Sequence, residues 1–523
     1  MEGGIKMTPW HIRRREILKT FGLSAAAYAF LPKGMMNSLF AQSGPAPLKF
    51  FGTIFQGHGG EFGFGMRPVN ASNSQIRIPN STLFTPFTGY NIRGGALTDF
   101  TNPDGSLNTV FPAEWQQNAL LPYLNLLTGI DSYIYWGHGY HMLGNTNTGH
   151  NANTPAPWRT LDHVIHQSPL YRNQEAKFLF FQGGGNGLSV AGTDPNDLAS
   201  PLMNMSAAFS LTTAYSRLFY ELPSTHTNAS SDALDQIMVE INGLRLHPRL
   251  ATEDRAILDA HLTRMAELRM NVLGNTCSAY GVNPFWNQTQ FNQNYAYRQQ
   301  VADYLTSMLV FAVSTCEKPV VFTTNGGDLA DRYNQFGDFH ENVAHFVSNR
   351  NNYTDPQRIT RLNEAMLPWN RDVIHNLFFA LSKKLKDTPV AGGGNLLDQS
   401  LLMFLPECGA ETHQSFNLSI ATAGKAAGRW RSGYYVHALD ARTTRRDFGN
   451  RVDDPLQQNY RHLGLPFINV LNTVCEAAGL TTSDYELQAG NGFGRYQFVE
   501  SGREAGQRPA IPFNGKLNWL LSG

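Results

Sequence analysis

The sequence predicts an α/β fold: a mostly parallel, doubly wound sheet with helices on both faces. Short apolar, β-branched or aromatic runs alternate with longer helical patterns, and several of those runs stop at glycine-containing loops. No repeat, low-complexity tract or Pro/Ser linker divides the chain, so residues 42–523 read as a single domain.

The elements follow in chain order. Lys49 to Phe55 is an apolar run ending at Gln56-Gly57-His58-Gly59-Gly60, a buried strand running into a loop. Phe178 to Phe181 ends in the same way at Gly183-Gly184-Gly185. Between Asp232 and Met270, Leu234, Ile237, Met238 and Ile241 recur at helical spacing, and Leu258, Leu262 and Met265 resume it after Pro248. Arg298 to Val313 carries a stripe of Val301, Tyr304, Leu305 and Met308, and leads into a β-branched strand, Val320 to Thr324. Asp372 to Lys386 reads as helix, Leu401 to Leu405 and Phe416 to Ala423 as strands, and Phe467 to Ala478 as a last helix.

Charge narrows the function classes. Lys+Arg and Asp+Glu balance at 41 each, and charged residues are 16% of 523, against roughly 25% in an average soluble protein. That balance argues against a dedicated basic surface of the kind that neutralises phosphates, so no nucleic-acid partner is expected. The N-terminus carries an export signal: Arg14-Arg15, then Glu16, Ile17, Leu18 and Lys19, fits the twin-arginine pattern. Phe21 to Leu31 is too short for a membrane span but suits a signal-peptide core, with cleavage expected after Ala41. Residues 1–41 are therefore expected to be removed, leaving no transmembrane span. The twin-arginine translocase is the expected partner during export, and the periplasm or cell surface the destination. Cys277, Cys316, Cys408 and Cys475 form no C-x-x-C metal signature and imply one disulfide at most, or buried thiols.

Ligands in open α/β sheets sit at the carboxyl ends of strands. Three such ends lead into acids and histidines: His58 and Glu61, the segment 328–345, and the segment 407–413. The richest is Gly337-Asp338-Phe339-His340-Glu341-Asn342-Val343-Ala344-His345, where Asp338, His340 and His345 offer ligands for a divalent ion such as Zn, Mn or Ca. Glu407 and His413 repeat the acid-plus-histidine chemistry after another strand, and His58 and His141 complete the expected ligand set. Thr146 and Thr148, beside His141 in a Gly-rich loop, are the candidate nucleophiles. His163, His166, His247, His261 and His375 fall in helical patterns and read as packing or surface residues.

These residues resemble the HxxSHH family of twin-arginine-exported bacterial proteins, relatives of the alkaline-phosphatase and sulfatase-like superfamily. The resemblance runs through Arg14-Arg15, Thr128 to Asp131, Leu250 to Asp259, Phe339-His340 with His345, Leu396-Leu397-Asp398, and His413 with Ala421 to Gly424. It implies an alkaline-phosphatase-like fold with metal ligands at the strand ends. It also exposes a departure: where the family has Ser-His-His, this chain has Val343-Ala344-His345, which implies a weakened or altered site.

The expected function is that of an exported metal-binding protein, a metal-dependent hydrolase of phosphate or sulfate esters acting on a small molecule or surface glycan. The alternative is a non-catalytic periplasmic or cell-surface protein that keeps the fold for binding or structure. Neither a dinucleotide fingerprint nor a haem-attachment Cys pair supports a larger redox cofactor.

Overall fold

The computed structural model describes residues 46–56, 66–70, 77, 90–131, 143–144, 158–181, 189–219, 287–316, 318–325, 330–348, 352, 355–391, 393–406, 418–440, 465–487, 489–494 and 515–522. The chain divides into Met1–Ala46 and Pro47–Gly523, and the described strands and helices belong to the second unit. The helix expected over 232–270 lies outside the described residues.

Among the described residues, nine strands form the main sheet. They are β1 (Phe50–Gln56), β2 (Tyr90–Ala96), β3 (Leu124–Asp131), β4 (Lys177–Phe181), β7 (Val320–Asn325), β8 (Ser400–Pro406), β9 (Leu418–Ala423), β10 (Tyr434–Asp440) and β11 (Leu465–Pro466). β5 (Val190–Gly192) and β6 (Leu202–Asn204) make a separate antiparallel pair. The order across the sheet is β2-β10-β3-β9-β8-β1-β7-β4, with β11 beside β3. Neighbours β8, β1, β7 and β4 all run parallel, and so do β10, β3 and β11. Of these nine, only β9, inside the sheet, and β2, at its edge, run against their partners. The reversal at β9 has a cause in chain length. Only residues 407–417 separate it from β8, and a parallel crossover takes a dozen residues or more.

Side chains alternate between two cores. Phe50, Ile54, Val320, Phe322, Leu402 and Phe404 point to one face; Phe51, Phe55, Val321, Leu401, Met403 and Leu405 point to the other. Strands buried on both faces need apolar residues at most positions, which explains why their runs are nearly continuous.

Helices α1 (Leu161–Gln167), α2 (Tyr295–Thr315), α3 (Pro356–Arg361), α4 (Leu367–Val373), α5 (Ala380–Asp387) and α6 (Phe467–Ala477) supply the covering layers. Leu305 and Met308 of α2, Trp369 of α4 and Leu381 of α5 close the first core; Val164 of α1 and Leu471 of α6 close the second. The helix expected over 372–386 is the end of a longer run. Between α3 and α4 the chain widens into a π-helical turn, Leu362–Met366, and between α4 and α5 into a second, Ile374–Phe379. Pro368 has no N–H for the Glu364 carbonyl four residues back. The Gln335 side-chain amide donates to that carbonyl instead, at 3.1 Å.

Among the described residues no helix is long and apolar enough to cross a membrane. Cys316 is disulfide-bonded and Cys475 is a buried free thiol.

Candidate metal centre

β1 lies between β8 and β7, and their carboxyl ends are in register: Phe55 pairs with Asn325 and Gln56 with Pro406. Paired strands are about 4.8 Å apart. The three chain segments expected to carry ligands therefore leave the sheet as neighbours along one edge. His58, His141, Thr146, Thr148, Glu407 and His413 themselves lie outside the described residues.

The segment after β7 is described from Ala330. A 3-10 turn, Ala330–Phe336, is tied to α4 through Asp372, whose carboxylate accepts from Arg332 Nη1 and the Tyr333 hydroxyl, each at 2.5 Å. Burial and the Asp372 hydrogen bond both push the Tyr333 phenol up, so it stays a donor. Gly337, at φ +94°, then turns the chain into a region that side-chain-bearing residues rarely adopt.

Asp338 follows, and it serves the backbone. Its Oδ1 accepts from the Glu341 amide at 2.9 Å and its carbonyl from the Asn342 amide at 2.8 Å, starting the next helical turn. Expected as a ligand, Asp338 stands outside the group that could share an ion.

That group is His340, Glu341 and His345, whose ligand atoms all lie within 4.8 Å of one another. His345 Nδ1 is 3.4 Å from one Glu341 oxygen, and His340 Nε2 is 3.9 Å from the other. The imidazole centroids are 4.1 Å apart. Two ligands each about 2.1 Å from a tetrahedral ion stand about 3.4 Å apart, so the first distance already fits and the second needs a small rotamer change.

Backbone geometry makes the grouping. His340 and His345 are five residues apart, which in an α-helix separates side chains by roughly 140° around the axis. Here His340–His345 is a π-helical turn, which has more residues per turn, so both rings reach the same side. Phe339, Val343, Ala344 and Val347 face inward and are buried in the first core, with Phe339 against Trp369 at 4.9 Å between ring centroids. This inward stripe leaves the histidines partly exposed, at 29% and 24%, and Glu341 at 67%, so an ion held here would keep a side open to water.

Glu341 was not among the expected ligands. Its signal in the sequence was the i,i+4 spacing to His345, a helical neighbour relation hidden until the segment is known to be helical. Val343 and Ala344 point into the core rather than toward the histidines.

The other histidines in helical patterns that are described pack against neighbouring groups, His163 buried and His166 and His375 half-buried. His163 is buried 4.1 Å from the Phe178 ring, His166 Nε2 donates to the Ala176 carbonyl, and His375 stacks on Phe379. His247 and His261 lie outside the described residues.

No family model matches the chain, and neither a curated protein nor a solved structure does.

Proposed function

We propose that this chain is an exported metal-binding protein whose ion is held by His340, Glu341 and His345. One observation carries the reading: a π-helical turn gathers two imidazoles and a carboxylate within 4.8 Å on a water-facing surface. The donor set selects among the expected ions. Two nitrogens and one oxygen suit Zn or another transition ion; Ca takes oxygen ligands and fits poorly. Two histidines, one carboxylate and an open position is a ligand set that catalytic zinc sites use.

A divalent ion at this position would supply Lewis-acid polarisation of an ester oxygen. His340 and His345 would bind it through ring nitrogens placed by the turn, and Glu341 would contribute a carboxylate with a second oxygen for hydrogen bonding. On this reading the chain is a relative of the HxxSHH family with an alkaline-phosphatase-like fold. It hydrolyses phosphate or sulfate esters in the periplasm or at the cell surface, with Thr146 or Thr148 as nucleophile. Glu341 then takes the part of the histidine that Ala344 replaces. The in-register strand ends of β1, β7 and β8 support a site assembled from all three segments.

A second reading, binding without turnover, is favoured by a different observation: among the described residues, the three gathered ligands come from one turn of one segment. Calorimetric titration of the exported protein with Zn²⁺ and Ca²⁺, beside a His340→Ala/His345→Ala variant, tests the metal. One Zn²⁺ per chain, lost in the variant, with no comparable Ca²⁺ binding, is the expected result. Equal Zn²⁺ binding by the variant, or none by the native protein, would sink it. Turnover of aryl phosphates or sulfates by the zinc-loaded protein separates the two readings.

A further inference from the structure

We propose that Arg361 is the positioning residue of this centre, holding the turn His340–His345 in the wide register that puts both imidazoles beside Glu341. The inference rests on the metal reading above and adds a residue to it. Arg361 ends α3 and reaches across to the turn. Its Nη1 donates to the Asn342 carbonyl at 2.5 Å, and its Nη2 to Gln357 Oε1 at 3.0 Å, one turn back on its own helix. The guanidinium carbon lies 3.9 Å from the Phe346 ring centroid and 5.5 Å from that of Phe336. Phe336 ends the 3-10 turn before the segment, and Phe346 follows His345 directly. One planar cation therefore touches both flanks of residues 337–345 and a carbonyl in their middle.

The Asn342 carbonyl is the telling contact. In an α-helix it would accept from the Phe346 amide four residues on. That amide donates to Val343 instead. Arg361 supplies a charge-assisted donor to the carbonyl that the wide turn deprives of its α-helical partner. A lysine offers a single point charge and no plane to lay on the two rings, so arginine is specified here by shape as well as charge. Closing the turn into α-helical register would swing His340 and His345 roughly 140° apart and dismantle the group.

Direction distinguishes positioning from charge. A nearby cation repels a metal ion, so if Arg361 acted only through its charge, removing it would tighten binding. Acting through the turn, its loss weakens binding, by the roughly 10–100-fold that losing an outer partner of a metal site typically costs.

The test is titration of the full chain with Co²⁺, following the visible ligand-field bands, for the native protein, Arg361→Met and Arg361→Lys. Both variants are expected to bind about 10–100-fold more weakly with altered band positions or intensities, Arg361→Lys the less affected. Equal or tighter binding by Arg361→Met with an unchanged spectrum overturns the proposal. Backbone amide exchange across residues 339–348 reads the same turn without metal. If the native protein takes no Co²⁺, the metal reading fails, and Arg361 is judged on exchange alone. Faster exchange confined to that segment in both variants upholds its hold on the turn; unchanged exchange overturns it.

Discussion

A histidine buried with neither ring nitrogen hydrogen-bonded is a liability at low pH, and His163 is such a residue. Burial pulls its pKa down from 6.5 to about 4, with Asp162 opposing and His166 and Arg159 adding to the fall. The folded protein thus holds it neutral while the unfolded chain protonates near 6.5. Stability is whole above that value, declines as pH falls toward 4, and declines no further from this residue below it. The loss between pH 8 and pH 5 is about 2 kcal/mol. Replacing His163 with Phe, beside Phe178, should remove that part of the acid sensitivity. Urea unfolding at the two pH values measures it, and an unchanged pH dependence would show that His163 is not its source. The residue scale is also where the sequence was least legible. His340 and His345 stand out by type, but their meeting depends on a π-helical turn that no residue-type pattern announces. Glu341 became a ligand candidate, and Asp338 a cap, only once that turn was known.

At the scale of elements the reading was far better, because continuous apolar runs leave little choice. β1, β4, β7, β8 and β9 follow directly from Lys49 to Phe55, Phe178 to Phe181, Val320 to Thr324, Leu401 to Leu405 and Phe416 to Ala423. β2, β3 and β10 escaped because they mix polar and glycine positions with apolar ones: Arg93, Asn125 and His437 lie within them. Gly129 marks the difficulty. It sits at φ +75° where the register of β3 against β9 shifts, and a β-carbon there would lie 1.9 Å from the Ala438 carbonyl oxygen of β10. Such a bulge needs a residue without a side chain, which weakens the strand pattern at the point where two partners meet. Gly129→Ala should therefore destabilise by about 3 kcal/mol, combining backbone strain with a backbone clash. Gly428 gives the control: its φ is +84°, but a β-carbon added there would meet nothing within 4 Å. Gly428→Ala should then cost about 1 kcal/mol. Equal losses in chemical unfolding would mean that the close approach of β10 does not constrain Gly129.

At the scale of the whole molecule, the expected export and the observed sulfur chemistry bear on one another. Disulfides persist in oxidising compartments, and Cys316 is disulfide-bonded while Cys475 stays a thiol inside the second core. A buried thiol is protected by packing wherever the protein resides, and burial also raises the Cys475 pKa, which keeps it protonated and inert. Cys316 is thus the residue whose state reports the compartment. On the proposal that Arg14-Arg15 directs the chain through the twin-arginine translocase, an Arg14→Lys/Arg15→Lys variant should accumulate in the cytoplasm with Cys316 reduced. The native chain should reach the periplasm, shortened by cleavage after Ala41 and oxidised at Cys316. Cell fractionation followed by thiol alkylation and peptide mass mapping reads location, cleavage and oxidation together. Normal export of the double-lysine variant would remove the twin-arginine reading. Retention of the variant with Cys316 still oxidised would uphold that route while showing that the bond forms before translocation, as a carrier of folded chains permits.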